Sequence, residues 1–153
     1  FADVAPAARR AALMPWLASV FARGDDDIAA RAARAWSRWE HVLAGTVNST
    51  DAPIARLVAR YRVQSHYLLH DCWLNSPTLL ERAEAVPRVP TLLLHARDDR
   101  VCRAEGAQAL HDRLPQSTLR WIDHGGHDAA HPAMIAAMVA SLDHFAAHGR
   151  FTP

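Results

Sequence analysis

Acidic residues and a histidine follow two short apolar runs in the second half of the chain. Asp98 and Asp99 come after residues 91–95, and His127 lies in the sequence DHGGHDAAH after residues 118–122. A carboxylate after one strand and a histidine after the next could form the acid and base of a hydrolytic triad. There the histidine takes a proton from a nucleophile, and the carboxylate holds the imidazole in the required tautomer. The spacing alone is also compatible with a plain turn at Asp98 and Asp99 and a surface position for His127.

The nucleophile that such a pair would serve is not evident in the sequence. No G-x-S-x-G motif occurs, and none of the seven serines follows a predicted strand with flanking glycines. Cys102 lies three residues after Asp99 but has no base-bearing motif of its own, so we do not propose it as the nucleophile. The sequence therefore predicts the acid and the base of a catalytic triad but not its nucleophile.

A second group of possible ligands is the histidine cluster around His127. His124, His127 and His131 are flanked by acidic residues, and imidazole with carboxylate can bind zinc. The cluster contains no HExxH motif and spans a turn instead of one helix face. We therefore expect no metal site and no cofactor, and a histidine-cluster metal protein is kept only as a third hypothesis.

The first half of the chain reads as helix. Apolar residues at helical spacing predict helices over residues 7–23, 28–43 and 53–70, and a short one over residues 78–85. Pro15 should kink or split the first helix, and Gly24 with the acidic residues 25–27 should end it and cap the second. We expect the sequence Asn75-Ser76-Pro77 to end the third.

After Pro87 the pattern changes to strand, turn and helix. We predict strands over residues 91–95 and 118–122, a helix over residues 103–114, and a last helix starting at Pro132. The last helix has an apolar face formed by Ile135, Met138, Val139, Leu142, Phe145 and Ala146. Two parallel strands alone leave both sheet edges open, so this block looks like one end of a larger sheet.

Composition excludes several classes of protein. The 153-residue chain is 50% hydrophobic, which rules out a disordered protein, and its net charge is only +1. All 17 basic residues are arginines, and they are scattered, so nucleic-acid binding is not indicated. No apolar run is long enough to span a membrane. Cys72 and Cys102 form no CxxC spacing and are expected to be reduced thiols of a cytoplasmic protein.

Four segments together resemble a known family. They are AWSRWE at residues 35–40, YRVQSHYLLHDCWL at 61–74, VPTLLLHARDDRVC at 89–102 and GGHDAAHP at 125–132. They resemble prolyl aminopeptidase, also called proline iminopeptidase, of the α/β-hydrolase fold. The last two segments alone would indicate only an α/β-hydrolase, and the first two make the resemblance more specific.

The resemblance implies roles for four residues. Asp99 would be the triad acid and His127 the general base, while Glu40 would help to bind the free α-amine of an N-terminal proline. Where the family usually has a second glutamate for that amine, this sequence has Gln64. From spacing alone Glu40 would be a solvated residue at a helix end. The nucleophilic serine belongs to a part of the family that has no counterpart in this chain.

The resemblance also implies an architecture and a function. We expect an α/β fold, with a helical cap at residues 1–77 and, at residues 78–153, the C-terminal parallel strands and flanking helices of a partial hydrolase sheet. The function would be that of a serine exopeptidase that releases N-terminal proline from peptides, and this chain alone would be inactive. The alternatives are an α/β-hydrolase of other ester or amide specificity and a truncated, non-catalytic interaction module. The expected partners are a peptide with a free N-terminus and either the missing N-terminal half or a second copy at the open sheet edge.

Overall fold

The structure is a computed structural model that describes residues 2–23, 26–46 and 52–152. The chain forms two compact units. The first contains residues up to Val42 and from Thr46 to Ser76, and the second contains Leu43–Gly45 and the residues from Pro77 onward. Among the described residues no helix is both long and apolar enough to cross a bilayer. The main segment of the second unit begins at Pro77, ten residues ahead of Pro87, after which the sequence predicts strands.

The first unit is helical. A 3-10 helix at Ala2–Val4 and another at Ala7–Ala12 precede three α-helices, and a third 3-10 turn, Asp71–Trp73, follows them. The α-helices are α1 (Leu13–Arg23), α2 (Asp26–Ala44) and α3 (Ile54–Leu69). Residues Gly24 and Asp25, which the sequence assigned to the stop and cap between α1 and α2, lie outside the described residues.

Three aromatic rings form the centre of this unit. Phe21 of α1, Trp36 of α2 and Tyr61 of α3 are fully or almost fully buried. The ring centroids of Trp36 and Tyr61 lie 4.8 Å apart, and that of Phe21 lies 6.2 Å from each of them. Offset rings at these distances attract one another in addition to the free energy of burying their area. The cluster therefore holds the three helices together and fixes the position of Tyr61.

One prediction about helix ends in this unit needs correction. The first helix is divided before Leu13 and not at Pro15, which occupies the first turn of α1. A proline there removes only an N–H group that has no partner within the helix. The helix α3 ends at Leu69, within one residue of the predicted range 53–70 and ahead of the sequence Asn75-Ser76-Pro77. Beyond it Asp71, Cys72 and Trp73 all adopt positive φ angles of 48° to 54°. This left-handed turn has no simple sequence signal, since none of the three is glycine.

The second unit contains two strands and three helices. They are α4 (Leu79–Arg82), β1 (Thr91–Ala96), α5 (Ala104–His111), β2 (Ser117–Ile122) and α6 (Pro132–His148), with a 3-10 turn at Ala83–Ala85. β1 and β2 are parallel, and their register runs from Thr91 opposite Ser117 to Ala96 opposite Ile122. The two carboxyl ends therefore meet at one edge. This confirms the predicted α/β class, with a small parallel sheet of the kind found in part of an α/β-hydrolase.

The side of α6 that packs on the strands differs from the predicted apolar face. Ala137 and Ser141 are buried, and Ala137 contacts Ala96 and Ile122 in the small core of this unit. The large side chains at the centre of the predicted face are instead exposed: Ile135, Met138, Val139 and Leu142. Small residues let the helix approach the strands closely, and a hydrogen bond from Arg120 Nη1 to Ser141 Oγ at 3.2 Å secures the contact. The helix is apolar on two sides, and this unit covers one of them.

Candidate active site

The turn after β1 holds Asp99 in one orientation. Its N–H donates to the carbonyl of Ala96, the last residue of β1, at 3.4 Å. The carboxylate oxygen Oδ1 accepts hydrogen bonds from the backbone N–H groups of Val101 and Cys102, each at 2.8 Å. The side chain is only 8% exposed. Because the turn occupies Oδ1, the other oxygen, Oδ2, is left to face the residues that follow β2.

Two glycines bring the loop after β2 close to this turn. A Cβ atom on Gly125 would lie 3.3 Å from the Cβ of Ala96, which is tighter than most such contacts. Gly126 has a φ of +54°, a left-handed conformation that costs glycine little. His127 follows directly. Glycine is therefore favoured at both positions by the close approach of the two loops and by the turn that presents His127.

Asp98 fastens the same two loops together. Its Oδ1 accepts hydrogen bonds from the N–H groups of Gly125 and Gly126, at 3.1 and 2.9 Å. The bond from Gly126, and to a smaller extent the bond from Gly125, hold the pKa of Asp98 below its ordinary value. His124 lies 4.0 Å from Oδ2 of the same carboxylate. The two adjacent aspartates thus have different tasks, because Asp98 binds the loop backbone and Asp99 faces the histidine.

The predicted acid and base lie within hydrogen-bonding distance. Nδ1 of His127 is 3.0 Å from Oδ2 of Asp99. The His127 side chain is 44% exposed, whereas the carboxylate beneath it is nearly buried. When Nδ1 donates to Asp99, the lone pair on Nε2 is free to accept a proton from another group. The arrangement has the geometry that a general base and its orienting carboxylate require.

The charge state of Asp99 suits this pairing. Burial of the carboxyl acts to raise its pKa, but hydrogen bonds from His127 and from two backbone N–H groups outweigh it, so the pKa of Asp99 lies below its ordinary value. The carboxylate is consequently ionised near neutral pH and can stabilise a positive charge that develops on His127. Asp99 and His127 also line a cleft of about 240 Å³ with apolar walls that include Leu94, Ala96 and Met134.

We expect the Asp98 contact to weaken in acid. Because the pKa of Asp98 is lowered in the folded state, its ionised carboxylate stabilises the fold fully above the ordinary Asp pKa of about 3.9. This stabilisation is lost as the pH falls through the lower pKa of the folded state. The amide NMR resonances of Gly125 and Gly126 should shift together with a midpoint below pH ~3.9. Asp98→Asn should abolish this titration, while Asp128→Asn should leave it in place. A midpoint at or above the ordinary value would contradict the assignment.

Glu40, the predicted amine ligand, is surrounded by donors within the first unit. Its Oε2 accepts hydrogen bonds from Tyr61 Oη at 2.9 Å and from Arg60 Nη2 at 3.1 Å, and its Oε1 accepts one from Gln64 Nε2 at 2.7 Å. The Glu40 side chain is 19% exposed, so it is not the solvated residue at a helix end that spacing alone predicted. Burial, together with the hydrogen bond and negative charge of Glu40, raises the pKa of Tyr61 above its ordinary value.

Arg60 is the part of this cluster that sequence reasoning missed. Its guanidinium forms an ion pair with Glu40 and lies 5.4 Å from the centre of the Tyr61 ring. Arg60 and Gln64 are four residues apart, so they share one face of α3, and that spacing is the signal that could have indicated the pairing. Glu40 and Gln64, which the resemblance implied to be neighbours, are in direct contact.

Comparison with known proteins agrees with the fold. Residues 5–131 match the sequence profile of the family described as serine aminopeptidase, S33. A proline iminopeptidase of Xylella fastidiosa is 31% identical over 128 residues, and one of Xanthomonas citri is 30% identical over 154 residues. A protein of Leptolyngbya boryana named probable proline iminopeptidase is 29% identical over 129 residues.

These matches cover most of the chain but less than half of each relative. They include 78%, 95% and 80% of this chain, and 41%, 49% and 40% of the Xylella, Xanthomonas and Leptolyngbya proteins. The matched part is the C-terminal part of those proteins. The small parallel sheet and its flanking helices correspond to part of an α/β-hydrolase. The chain belongs to the S33 serine aminopeptidase family.

Proposed function

We propose that this chain is the C-terminal portion of a serine exopeptidase that releases N-terminal proline from peptides. The nucleophilic serine would lie outside the chain, and "complete protein" below means the chain together with the segment that carries that serine. The observation that carries the proposal is the 3.0 Å contact between His127 and Asp99 at the carboxyl ends of adjacent parallel strands. The names of the three relatives support proline as the released residue.

In the proposed reaction His127 is the general base. Its Nε2 takes the proton from the serine hydroxyl as the oxygen attacks the carbonyl carbon of the N-terminal residue, and it then gives that proton to the departing amine. Water repeats the sequence on the acyl-enzyme and releases the free amino acid. Asp99 keeps the imidazole oriented through Nδ1 and stabilises its positive charge, while the hydrogen bond from His127 and those from the backbone of its turn keep the pKa of Asp99 below its ordinary value.

The proposed role of Glu40 and Gln64 is to bind the protonated amine of the substrate. A carboxylate that is largely buried beside Tyr61 holds an ammonium group more strongly than an exposed one, since solvent screens it less. Gln64 offers a carbonyl oxygen in place of the second negative charge. The chain therefore provides one anionic ligand for the amine, and Arg60 already neutralises part of it.

The reduced negative charge around Glu40 favours a second candidate, an α/β-hydrolase of other ester or amide specificity. With Glu40 paired to Arg60 and a neutral Gln64 beside it, a substrate without a free amine would lose little binding energy. Such an enzyme would use the same His127 and Asp99. It would differ from a strict aminopeptidase only in its response to the substrate amine.

The proposal includes the state of the isolated chain. Without a nucleophile His127 has nothing to activate, so we expect the chain alone to be inactive.

The proposal also includes a binding surface. The missing N-terminal half or a second copy would bind the exposed apolar side of α6 and the open edges of the two strands that form the sheet in the described part of the chain. A cytoplasmic location is part of the same proposal, and the free thiols of Cys72 and Cys102 support it.

The test compares substrates that differ only at the amine. The complete protein should hydrolyse proline para-nitroanilide and should be at least about 10-fold less efficient on its N-acetylated form, because acetylation removes the charge that Glu40 binds. Alanine para-nitroanilide serves as the control for the side chain. Equal rates on the free and acetylated proline substrates would favour the second candidate, and no hydrolysis of any of the three would refute the first.

A further inference from the structure

A third side chain lies beside the Asp99–His127 pair. A carboxylate oxygen of Asp99, the sulfur of Cys102 and a ring nitrogen of His127 all lie within 4.8 Å of one another. Carboxylate, thiolate and imidazole are the three side-chain ligands that zinc takes in proteins. We propose that Asp99, Cys102 and His127 form a binding site for a divalent cation of the zinc type, in which the metal takes the place of the proton on Nδ1 of His127 and that proton moves to Nε2.

Two of the three ligands are already placed for such an ion. The backbone holds Oδ1 of Asp99 with two hydrogen bonds of 2.8 Å, so Oδ2 points away from the turn toward Nδ1 of His127 at 3.0 Å. A tetrahedral zinc ion with bonds of about 2.0 to 2.1 Å separates a nitrogen and an oxygen ligand by about 3.3 Å. The pair would need to open by only a few tenths of an ångström to admit the ion.

Cys102 supplies the third ligand and the remaining charge. Its side chain is exposed and lies just before α5, so rotation about its Cα–Cβ bond can bring the sulfur to the ion. The sulfur lies within 4.8 Å of the other two ligand atoms. It therefore needs to approach by at most about 1.2 Å, since tetrahedral zinc separates sulfur from nitrogen or oxygen by about 3.6 Å. A thiolate and a carboxylate balance the two positive charges, and the thiol proton is released on binding. Three protein ligands leave the fourth position open to water.

This ligand set differs from the histidine cluster considered from the sequence. In the structure His124 lies beside Asp98, and Nδ1 of His131 accepts a hydrogen bond from the N–H of Ala133 at the start of α6. Among the described residues the group around Asp99 is the one with three ligand atoms in range. The site rests on these contacts and not on the proposed hydrolase activity. It has one functional consequence, because a metal on Oδ2 and Nδ1 prevents Asp99 from orienting His127 through a hydrogen bond.

Cobalt provides a direct test, because its absorption reports the ligands. Titration of the reduced 153-residue chain with Co²⁺ should produce a sulfur-to-cobalt charge-transfer band in the near ultraviolet and the visible bands of tetrahedral cobalt, saturating at one equivalent. Zn²⁺ should abolish them. Cys102→Ser should remove the charge-transfer band and weaken Zn²⁺ binding by more than the ~10- to 100-fold that loss of a supporting group costs. His127→Gln should weaken binding to a similar extent.

Two matched variants make the test specific. Cys72→Ser removes the other cysteine, which belongs to the other unit, and His124→Ala removes a histidine of the same loop. Both should retain the spectrum and the affinity of the original chain, and circular dichroism should show that all four variants are folded. A band that survives Cys102→Ser, a band that is lost in Cys72→Ser, or no saturation below millimolar cobalt would each overturn the proposal.

Discussion

His127→Ala in the complete protein is expected to lower kcat/KM for proline para-nitroanilide by about 10⁴-fold or more, because loss of a triad member removes proton transfer in both half-reactions. The structure gives the physical reason, since Nδ1 of His127 is held 3.0 Å from Asp99 and its other nitrogen is left for the nucleophile. Asp99→Asn should cost a similar factor of about 10⁴, because an amide favours the wrong tautomer of the histidine. Steady-state kinetics of the purified proteins would measure both effects.

The control for this experiment lies in the same loop. The His124 side chain is 91% exposed, and His124→Ala should change kcat/KM by less than ~3-fold. The double variant with His127→Ala and Asp99→Asn should be little worse than either single one, because residues that act as a unit are not additive. Turnover that survives His127→Ala would remove the basis of the catalytic assignment, whatever the substrate.

Gln64→Glu in the complete protein is expected to lower KM for substrates with a free amine by about 10-fold, within the 1 to 3 kcal/mol that a charge-assisted hydrogen bond contributes. Gln64 Nε2 lies 2.7 Å from Oε1 of Glu40, so the substitution places two carboxylates around one position. An ammonium group between them relieves their repulsion, which is why the gain should appear with free-amine substrates and be absent with acetylated ones.

The effect of Arg60 should be smaller than that of Gln64. The Arg60 side chain is 57% exposed, and ion pairs of this kind contribute ~0.2 to 1 kcal/mol, so Arg60→Gln should lower KM by no more than ~5-fold.

The control for Gln64→Glu is Gln108→Glu, which adds the same charge at an exposed position in the other unit and should leave KM unchanged. A KM that does not respond to Gln64→Glu would exclude Gln64 from the amine-binding role.

The acid–base pair was predictable because its residues follow strand ends. An apolar run bounded by proline and polar residues predicts a buried strand, and parallel strands bring their carboxyl ends to the same edge. That reasoning places Asp99 near His127 without any knowledge of side-chain contacts. It could not separate the tasks of Asp98 and Asp99, because adjacent residues point in different directions and the assignment depends on which carboxylate meets the N–H groups of Gly125 and Gly126.

The surroundings of Glu40 could not be predicted in the same way. Glu40 is separated from Arg60, Tyr61 and Gln64 by 20 to 24 residues, and its contacts depend on how α2 and α3 pack around the aromatic cluster. A periodic pattern shows that a helix has an apolar face but not which neighbour covers it. The same limit explains α6, whose sequence is apolar on two sides while small residues, Ala137 and Ser141, form the packed one.

The amino-acid sequence alone predicted most of the helices and strands, and it carried a resemblance specific enough to name a family. These follow from short-range periodicity and from the conformational freedom of single residues. The three-dimensional packing determined the remaining partners of the functional groups. It placed Asp98 on the loop backbone, paired Glu40 with Arg60 and brought Cys102 within reach of His127. Such contacts join residues that are distant in the chain, so they are set by packing, which no local pattern encodes.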